Sequence, residues 1–398
     1  MTTMHDPPHR RRLPAVVRSA LAAVALALGL WPWWAAREDA RNAFPGFVAT
    51  QATASSADEA PVFETGVINP DSRLAKALSA SLVEMPDGSL VAAWYAGSAE
   101  GAADVGIYLA RRGSDGRRSE PSLSLKRQRV MSDLLRNVVS LGNPVLLVDG
   151  HGRLGLLFVS IGAGKWSGSS MNLTWLDNRN RAWGPIKNLT LNPLANLSAL
   201  PRNPPAPLIG GGWAVPVYQE FLGLFPEILW LQPQGEGYAA AVSRIAGGMS
   251  VFQPALVPLA QQRALTVMRD GTKARRMPVA WSDDAGCAWT QPAATDLPNP
   301  NSGVCVVRMA DGSLLCAFND SPEGKRDNLR LALSRDEGHT WLRIATLQEQ
   351  AGQEFSYPYM ILGSDGRVRM VYSSRGTQIR YAEFNAAWIA REETGVLR

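Results

Sequence analysis

Short polar clusters punctuate this otherwise apolar chain, and they hold the groups that could do chemistry. Gly142-Asn143-Pro144, Arg202-Asn203-Pro204, Tyr218-Gln219-Glu220, Asn299-Pro300-Asn301-Ser302 and Asn319-Asp320 are the main ones. Amides, guanidinium groups, phenols and carboxyls in such sets can hydrogen-bond the hydroxyls of a sugar, although an Asn-Pro step alone can equally cap a loop. Other chemistries lack material. Four histidines (His5, His9, His151, His339) and three cysteines (Cys287, Cys305, Cys316) without a CxxC pair cannot supply a zinc cluster or a histidine-centred triad. Any reaction must therefore be carried by carboxylates, tyrosines and arginines, and no cofactor or metal is expected. Cys305 and Cys316 flank a predicted hairpin turn, where they would form either a disulfide or two buried thiols.

The elements that must position these clusters form a repeat. A turn centred on glycine, followed by a short alternating strand, occurs as PDGSLVAAWYAG, GHGRLGLLFVS, GGGWAVPVYQE, QQRALTVMRD, ADGSLLCAFND and SDGRVRMVYSS. These units lie about 50 to 64 residues apart, the period of a propeller blade rather than a solenoid turn. A second strand-like segment follows each: VGIYLARR, LTWLDN, ILWLQP, PVAWSDD, LRLALSRD and IRYAEF. Six such units predict an all-β, six-bladed β-propeller over residues 62–390, with the polar clusters at equivalent blade positions around one central mouth.

Ahead of the repeat, Arg10, Arg11, Arg12 and Arg18 precede Ser19 to Ala36, a stretch without charge. Residues 1–37 thus read as a signal peptide or a membrane anchor, and 38–61, rich in Ala, Ser and Thr, as a linker. The body would then be exported, periplasmic or at the cell surface, and held at the inner membrane by residues 19–36 if the segment is uncleaved. The formal charge of +5 is concentrated here. Without those four arginines and Asp6, 36 Lys+Arg face 34 Asp+Glu, so no basic surface for nucleic acid remains. Separately, a monomeric body is expected.

Two of the outer strands run into a specific motif. Ser334-Arg335-Asp336-Glu337-Gly338-His339-Thr340-Trp341 fits S/T-x-D-x-G-x-T-W, and Ser282 to Trp289 fits it with Ala288 for threonine. Such an Asp-box is a hairpin turn in which the carboxylate accepts backbone N–H bonds, glycine takes a positive φ and tryptophan packs between blades. Ser114-Asp115-Gly116 and Asp177 through Trp183 look like worn copies. Asp-boxes on a six-unit β repeat resemble the sialidase (neuraminidase) superfamily, and SLVEMPDGSLVAAWYAGSAEGAADVGIYLARR, LPNPNSGVCVVRMADGSLLCAFN and FSYPYMILGSDGRVRMVYSSRGTQIRYAEF resemble its bacterial BNR-repeat members. The likeness covers about residues 65 to 388.

That resemblance implies a pocket on the face opposite the Asp-boxes, three arginines for a substrate carboxylate, an acid and a tyrosine nucleophile activated by glutamate. Arg269 and Arg326 match two of the arginines, whereas Ser79-Ala80-Ser81 stand where the first is expected; Arg136, Arg202 or Arg375 would have to substitute. Glu100 and Asp104 occupy the loop of the acid. Gln253 stands at the place of the activating glutamate, and Tyr357, shifted by two from Phe355, at that of the nucleophile, with Glu354 and Glu220 as the nearest carboxyls. The implied catalytic set is Glu100, Asp104, Glu220 and Tyr357. The binding set is Asn143, Arg202, Asn203, Tyr218, Gln253, Arg269, Asn299, Asn301, Arg326 and Arg375. These residues imply an exported exo-glycosidase acting on an acidic oligosaccharide or polysaccharide. The lost arginine and glutamate instead favour a non-catalytic carbohydrate-binding propeller for polysaccharide export or surface assembly, and a lyase on uronic-acid polymers is a third reading.

Overall fold

Each sequence repeat becomes one antiparallel sheet in the computed structural model, which describes residues 46–48, 59–69, 75–177, 182–192, 196–235 and 237–397, together with 16, 17, 19, 20 and 22–27. Blade one is Lys76–Glu84, Leu90–Gly97, Gly106–Arg112 and Ser122–Leu125; blade two is Ser140–Val148, Leu154–Ile161 and Ser169–Asp177, edged by Ala182–Trp183 and Lys187–Asn188. Blade three has an interrupted inner strand, Leu200–Pro201 and Ala206–Pro207, then Trp213–Gln219, Phe225–Gln234 and Gly237–Arg244. Blade four is Val251–Pro258, Ala264–Asp270, Arg276–Ser282 and Ala293–Pro298, and blade five Cys305–Arg308, Leu314–Phe318, Asn328–Ser334 and Leu342–Glu349. Blade six joins Phe355–Leu362, Val368–Ser374 and Gln378–Phe384 to Phe63–Val67, so a strand from before blade one closes the ring.

The inner strands are apolar because both their faces meet neighbouring blades. Leu78, Val91, Tyr95 and Ile107 of blade one pack with Leu146, Leu156 and Phe158 of blade two, and Val306, Leu314 and Phe318 of blade five with Val257, Val267 and Met277 of blade four. Strand alternation then fixes which end is which. Inner strands begin, and second strands end, at one face of the ring; the turns from third to fourth strand, including both Asp-boxes, lie on the other. In the complete box Asp336 accepts from Ser334 Oγ at 2.8 Å, Thr340 N at 2.9 Å and Thr340 Oγ1 at 2.6 Å, while Gly338 takes φ +88° and Trp341 Nε1 donates to its carbonyl at 3.1 Å. Asp284 makes the equivalent bonds to Ser282 Oγ and Ala288 N, at 2.9 and 2.8 Å. Asp115 accepts instead from Arg117 N, two residues on, at 3.0 Å, the bond that Asp87 and Asp311 also make in their Asp-Gly turns.

Inner strands of blades one, two, four and six each carry a bulge, centred on Ser79, Asn143, Gln253 and Tyr357, all at positive φ between 44° and 57°. Three of these residues precede a proline, Pro144, Pro254 and Pro358. Proline has no N–H for the ladder, so a strand accommodates it where pairing is already broken, and the bulge turns the preceding side chain toward the ring axis.

Cys305 pairs with Ala317 and Val306 with Cys316, so the two thiols sit one register step apart and point to opposite faces of blade five, Cys305 toward Met360 and Cys316 toward Met277. Both are free and buried, which excludes the disulfide. Within the stretch read as a linker, residues 46–48 lie on the body: Phe47 is fully buried, its N–H bonds Gln261 O at 2.9 Å and Val48 N bonds Pro207 O at 2.9 Å. The body also extends beyond residue 390, because a helix, Ala386–Leu397, lies on blade five with its first turn capped by Asn385 Oδ1, 3.0 Å from Trp388 N. Residues Met1–Phe44 form a separate unit. Most of residues 1–37, read from the sequence as a signal peptide or anchor, lie outside the described residues, and among the described residues no helix is long and apolar enough to cross a membrane.

Candidate active site

The face where inner strands begin collects polar side chains from all but the outermost parts of the blades. Blade one contributes Tyr95 at the end of its second strand and Glu100 in the following loop, joined by a phenol to carboxylate hydrogen bond of 3.4 Å. The loop is held from below by Arg127, whose guanidinium donates to Ala103 O at 2.9 Å and Val138 O at 2.8 Å. Blade two aims Asn143 Nδ2 at the Tyr218 hydroxyl of blade three, 3.3 Å away. Glu220 follows two residues later, its N–H fixed by Ser198 Oγ at 2.8 Å.

Blades four to six meet around Tyr357. Arg269 donates from Nη1 to Gln253 Oε1 at 3.1 Å and from Nε to Asn301 Oδ1 at 2.7 Å, and lies 4.6 Å from the Phe252 ring centre. Arg326 donates to Asn301 O at 2.7 Å and to Glu354 Oε1 at 3.2 Å. The guanidinium groups of Arg202 and Arg326 lie 5.1 and 5.9 Å from the centre of the Tyr357 ring. Three arginines from three blades therefore gather at one tyrosine. Arg202 supplies the third from blade three, in place of the blade-one position that holds Ser79 to Ser81.

Burial sets the charge states. It raises the Glu220 carboxyl above its usual range; Arg269 opposes this and Glu100 adds to it, so two acids and an arginine share one field. The Tyr218 hydroxyl is pushed up by burial and by Glu220, and that of Tyr95 by burial, Glu100, Tyr357 and Tyr218. Tyr95 and Tyr218 are accordingly hydrogen-bond donors, not phenolates. Arg269 is lowered by burial and by Arg326 against the pull of Tyr357. Among the described residues no group of three or more His, Cys, Asp or Glu is placed to hold a metal.

The BNR repeat-like domain family matches residues 88–370. The chain belongs to that family. Its propeller is sialidase-like. A sialidase of Micromonospora viridifaciens is 28% identical over 153 residues, which are 36% of this chain and 23% of that protein, so the chain spans under a quarter of its relative. The Hadza microbial sialidase Hz136 superimposes with a TM-score of 0.62 at 17% identity, over 77% of this chain and 65% of that one. The intramolecular trans-sialidase of Ruminococcus gnavus, in complex with oseltamivir carboxylate, gives 0.62 at 12% identity, over 82% and 98%. A protein of unknown function from Dyadobacter fermentans gives 0.63 at 15% identity, over 81% and 98%. These structural likenesses establish the fold.

Within this BNR propeller the sequence-derived residues divide. Glu100, Asn143, Arg202, Tyr218, Glu220, Gln253, Arg269, Asn301, Arg326 and Tyr357 come together at the mouth. Asp104 is spent on its own loop, accepting Ser98 N at 3.0 Å and Ser98 Oγ at 2.9 Å. Asn299 is fully buried and bonds the backbone of Asp270 and Ser302; Asn203 ties blade three to Pro254 O at 2.8 Å. Arg375 turns to Gln350 at 2.9 Å, and Arg136 to Ser160 Oγ at 2.5 Å. Tyr95 was not in the sequence-derived set. A signal existed: Trp94, Val217 and Met268 occupy the same place in the repeat, and the residues after them are Tyr95, Tyr218 and Arg269.

Proposed function

We propose that the protein is a glycoside hydrolase acting on an acidic sugar held at the mouth of the propeller. The observation that carries this reading is the pairing of Glu220, a carboxyl whose ionised form burial disfavours, with Glu100, a second carboxyl whose charge disfavours it further. Two carboxyls with different environments facing one site are what glycosidic bond cleavage uses, one protonating the leaving oxygen and the other acting on the opposite side. Glu220 takes the acid role and Glu100, hydrogen-bonded to Tyr95, the base or nucleophile role.

A tyrosine nucleophile is less well supplied. Gln253 Oε1 accepts a bond from Arg269 and cannot take a proton from Tyr357, and Glu354 is paired with Arg326. Arg269 and Arg326 favour an anionic substrate. Export is proposed on the arginine run before the uncharged Ser19 to Ala36 segment.

The test is turnover of 4-nitrophenyl or 4-methylumbelliferyl glycosides of N-acetylneuraminate, glucuronate and galacturonate beside those of neutral sugars. One acidic glycoside is expected to be cleaved, with Glu220→Gln and Glu100→Gln each lowering kcat by about 10²-fold or more, in the range of a lost general acid or base. Binding without cleavage of any glycoside would instead favour the carbohydrate-binding reading, and unsaturated products from uronic-acid polymers the lyase.

A further inference from the structure

We propose that a recess between blades one and six, at the Asp-box end of the propeller, binds a short aliphatic chain that carries a carboxylate. This site is separate from the mouth and from the reaction assigned to it.

The recess follows from the side chains that blade one presents to its neighbour. On that face the cross-strand pairs run Trp94–Tyr108, Ala92–Ala110 and Leu90–Arg112, from the mouth toward the Asp-box end. Trp94 and Tyr108 stack with ring centres 6.1 Å apart and fill their part of the seam. The next pair is two alanines, whereas the other five blades place Leu156, Val215, Thr266, Cys316 and Met370 where Ala92 stands in the repeat. Blade six faces them with another cross-strand pair, Val371 and Tyr381. Between the two blades a cavity of about 70 Å³ remains, lined also by Ile68, Leu82 and Leu90. Packed interiors hold few voids larger than a water molecule, and an apolar one stays dry and takes apolar ligands. At roughly 10–15 Å³ for each water-sized group, this space admits a chain of about five such groups.

The rim sets the charge of the ligand. Arg111, Arg118 and Ser119, all exposed, form the wall where the recess meets solvent. The deeper guanidinium groups are already engaged: Arg112 holds Glu383 at 2.5 Å, and Arg369 holds Asp365 at 2.6 Å and Glu383 at 3.5 Å. Arg118 instead lies 4.3 Å from the centre of the Tyr381 ring and donates to its hydroxyl. Asp87, the acid within the field of Arg111, is bonded to Ser89. Neither Arg111 nor Arg118 is ion-paired within 4.0 Å among the described residues. Two such guanidinium groups at the entrance of an aliphatic cavity match an apolar tail with an anionic head, and a carboxylate offers the paired oxygens that suit their planar fork. The walls belong to the first and last blades, so an occupant ties them together and adds its binding energy to the folded ring.

Calorimetric titration of the full chain with hexanoate, hexan-1-ol and acetate tests the site. Hexanoate is expected to bind tenfold or more tightly than either, because the alcohol lacks the charge and acetate lacks the tail. At ten times its Kd it should raise the melting temperature by about 2 °C. Ala92→Leu fills the recess and should weaken hexanoate tenfold or more. Ala110→Leu, on the adjoining strand and only half-buried, gives the same reading if Ala92→Leu does not fold. Replacing both rim arginines, Arg111→Gln with Arg118→Gln, keeps the cavity and should bring hexanoate within about twofold of the alcohol. A wild-type protein that does not bind hexanoate overturns the assignment. So does binding that survives the leucine variant, or a preference over hexan-1-ol that survives loss of both arginines. Vesicles of phosphatidylglycerol form the last arm: flotation with them that Ala92→Leu abolishes, without any response to hexanoate, would give the recess to a membrane lipid and overturn the free-acid assignment. The mouth plays no part in these readouts, so none of them depends on whether a glycoside is cleaved.

Discussion

Glu220 shows how a single residue can be read twice, as chemistry and as stability. Its carboxyl is raised above the ordinary value of 4.5 because burial disfavours the anion, an effect Glu100 strengthens and Arg269 only partly offsets. Below 4.5 the group is protonated in both folded and unfolded chains and has no differential effect. As pH rises the unfolded chain ionises first, so native stability is lost through the interval up to the raised folded value, and the deficit persists at neutral pH. Glu220→Gln should therefore melt at a higher temperature than wild type at pH 7, with the difference vanishing near pH 4; thermal melts across that range give the answer, and an equal or lower melting temperature at pH 7 would contradict a raised Glu220. The sequence marks Glu220 as a candidate by its cluster with Tyr218 and Gln219. It does not reveal that the Glu220 carboxyl is raised, because that depends on its burial in the folded mouth and on Arg269 and Glu100 from other blades.

At the level of elements, the repeat and its punctuation are legible in the chain, while the exact aim of side chains is not. The Asn143-Pro144, Gln253-Pro254 and Tyr357-Pro358 steps turn out to be bulges with the first residue at positive φ, which no alternation rule for a regular strand contains. Cys305 and Cys316 show the same limit, since a register one residue different from a shared-face pairing separates them by a whole sheet. The two Asp-boxes offer an internal comparison. Asp336 binds the Thr340 hydroxyl as well as its N–H, a bond that Ala288 denies Asp284. Asp336→Ala should thus destabilise more than Asp284→Ala, and Ala288→Thr should add about 0.5 to 1 kcal/mol in urea unfolding. Equal losses from both aspartates would show that the threonine bond contributes nothing.

For the molecule as a whole, ring closure explains why the mouth is assembled from distant sequence. Phe63–Val67 pairs with Gln378–Phe384, Phe63 stacks on Trp388 at 4.7 Å, and Arg112 of blade one bonds Glu383 of blade six at 2.5 Å. With the ring shut, Glu100 and Tyr357, far apart in the chain, share one field. Six units and their blade order follow from the period of the glycine turns; the third arginine does not, because Arg202 belongs to an interrupted strand that has no counterpart in the other blades. The central claim is that this mouth cleaves glycosides with Glu220 as the acid. Its most direct test is the pH dependence of kcat/KM for a cleaved acidic aryl glycoside. The account predicts that activity falls on the alkaline side with an apparent pKa above 4.5, and that Glu220→Gln abolishes this limb along with most of the rate. An alkaline limb and a rate that survive unchanged in Glu220→Gln would contradict it.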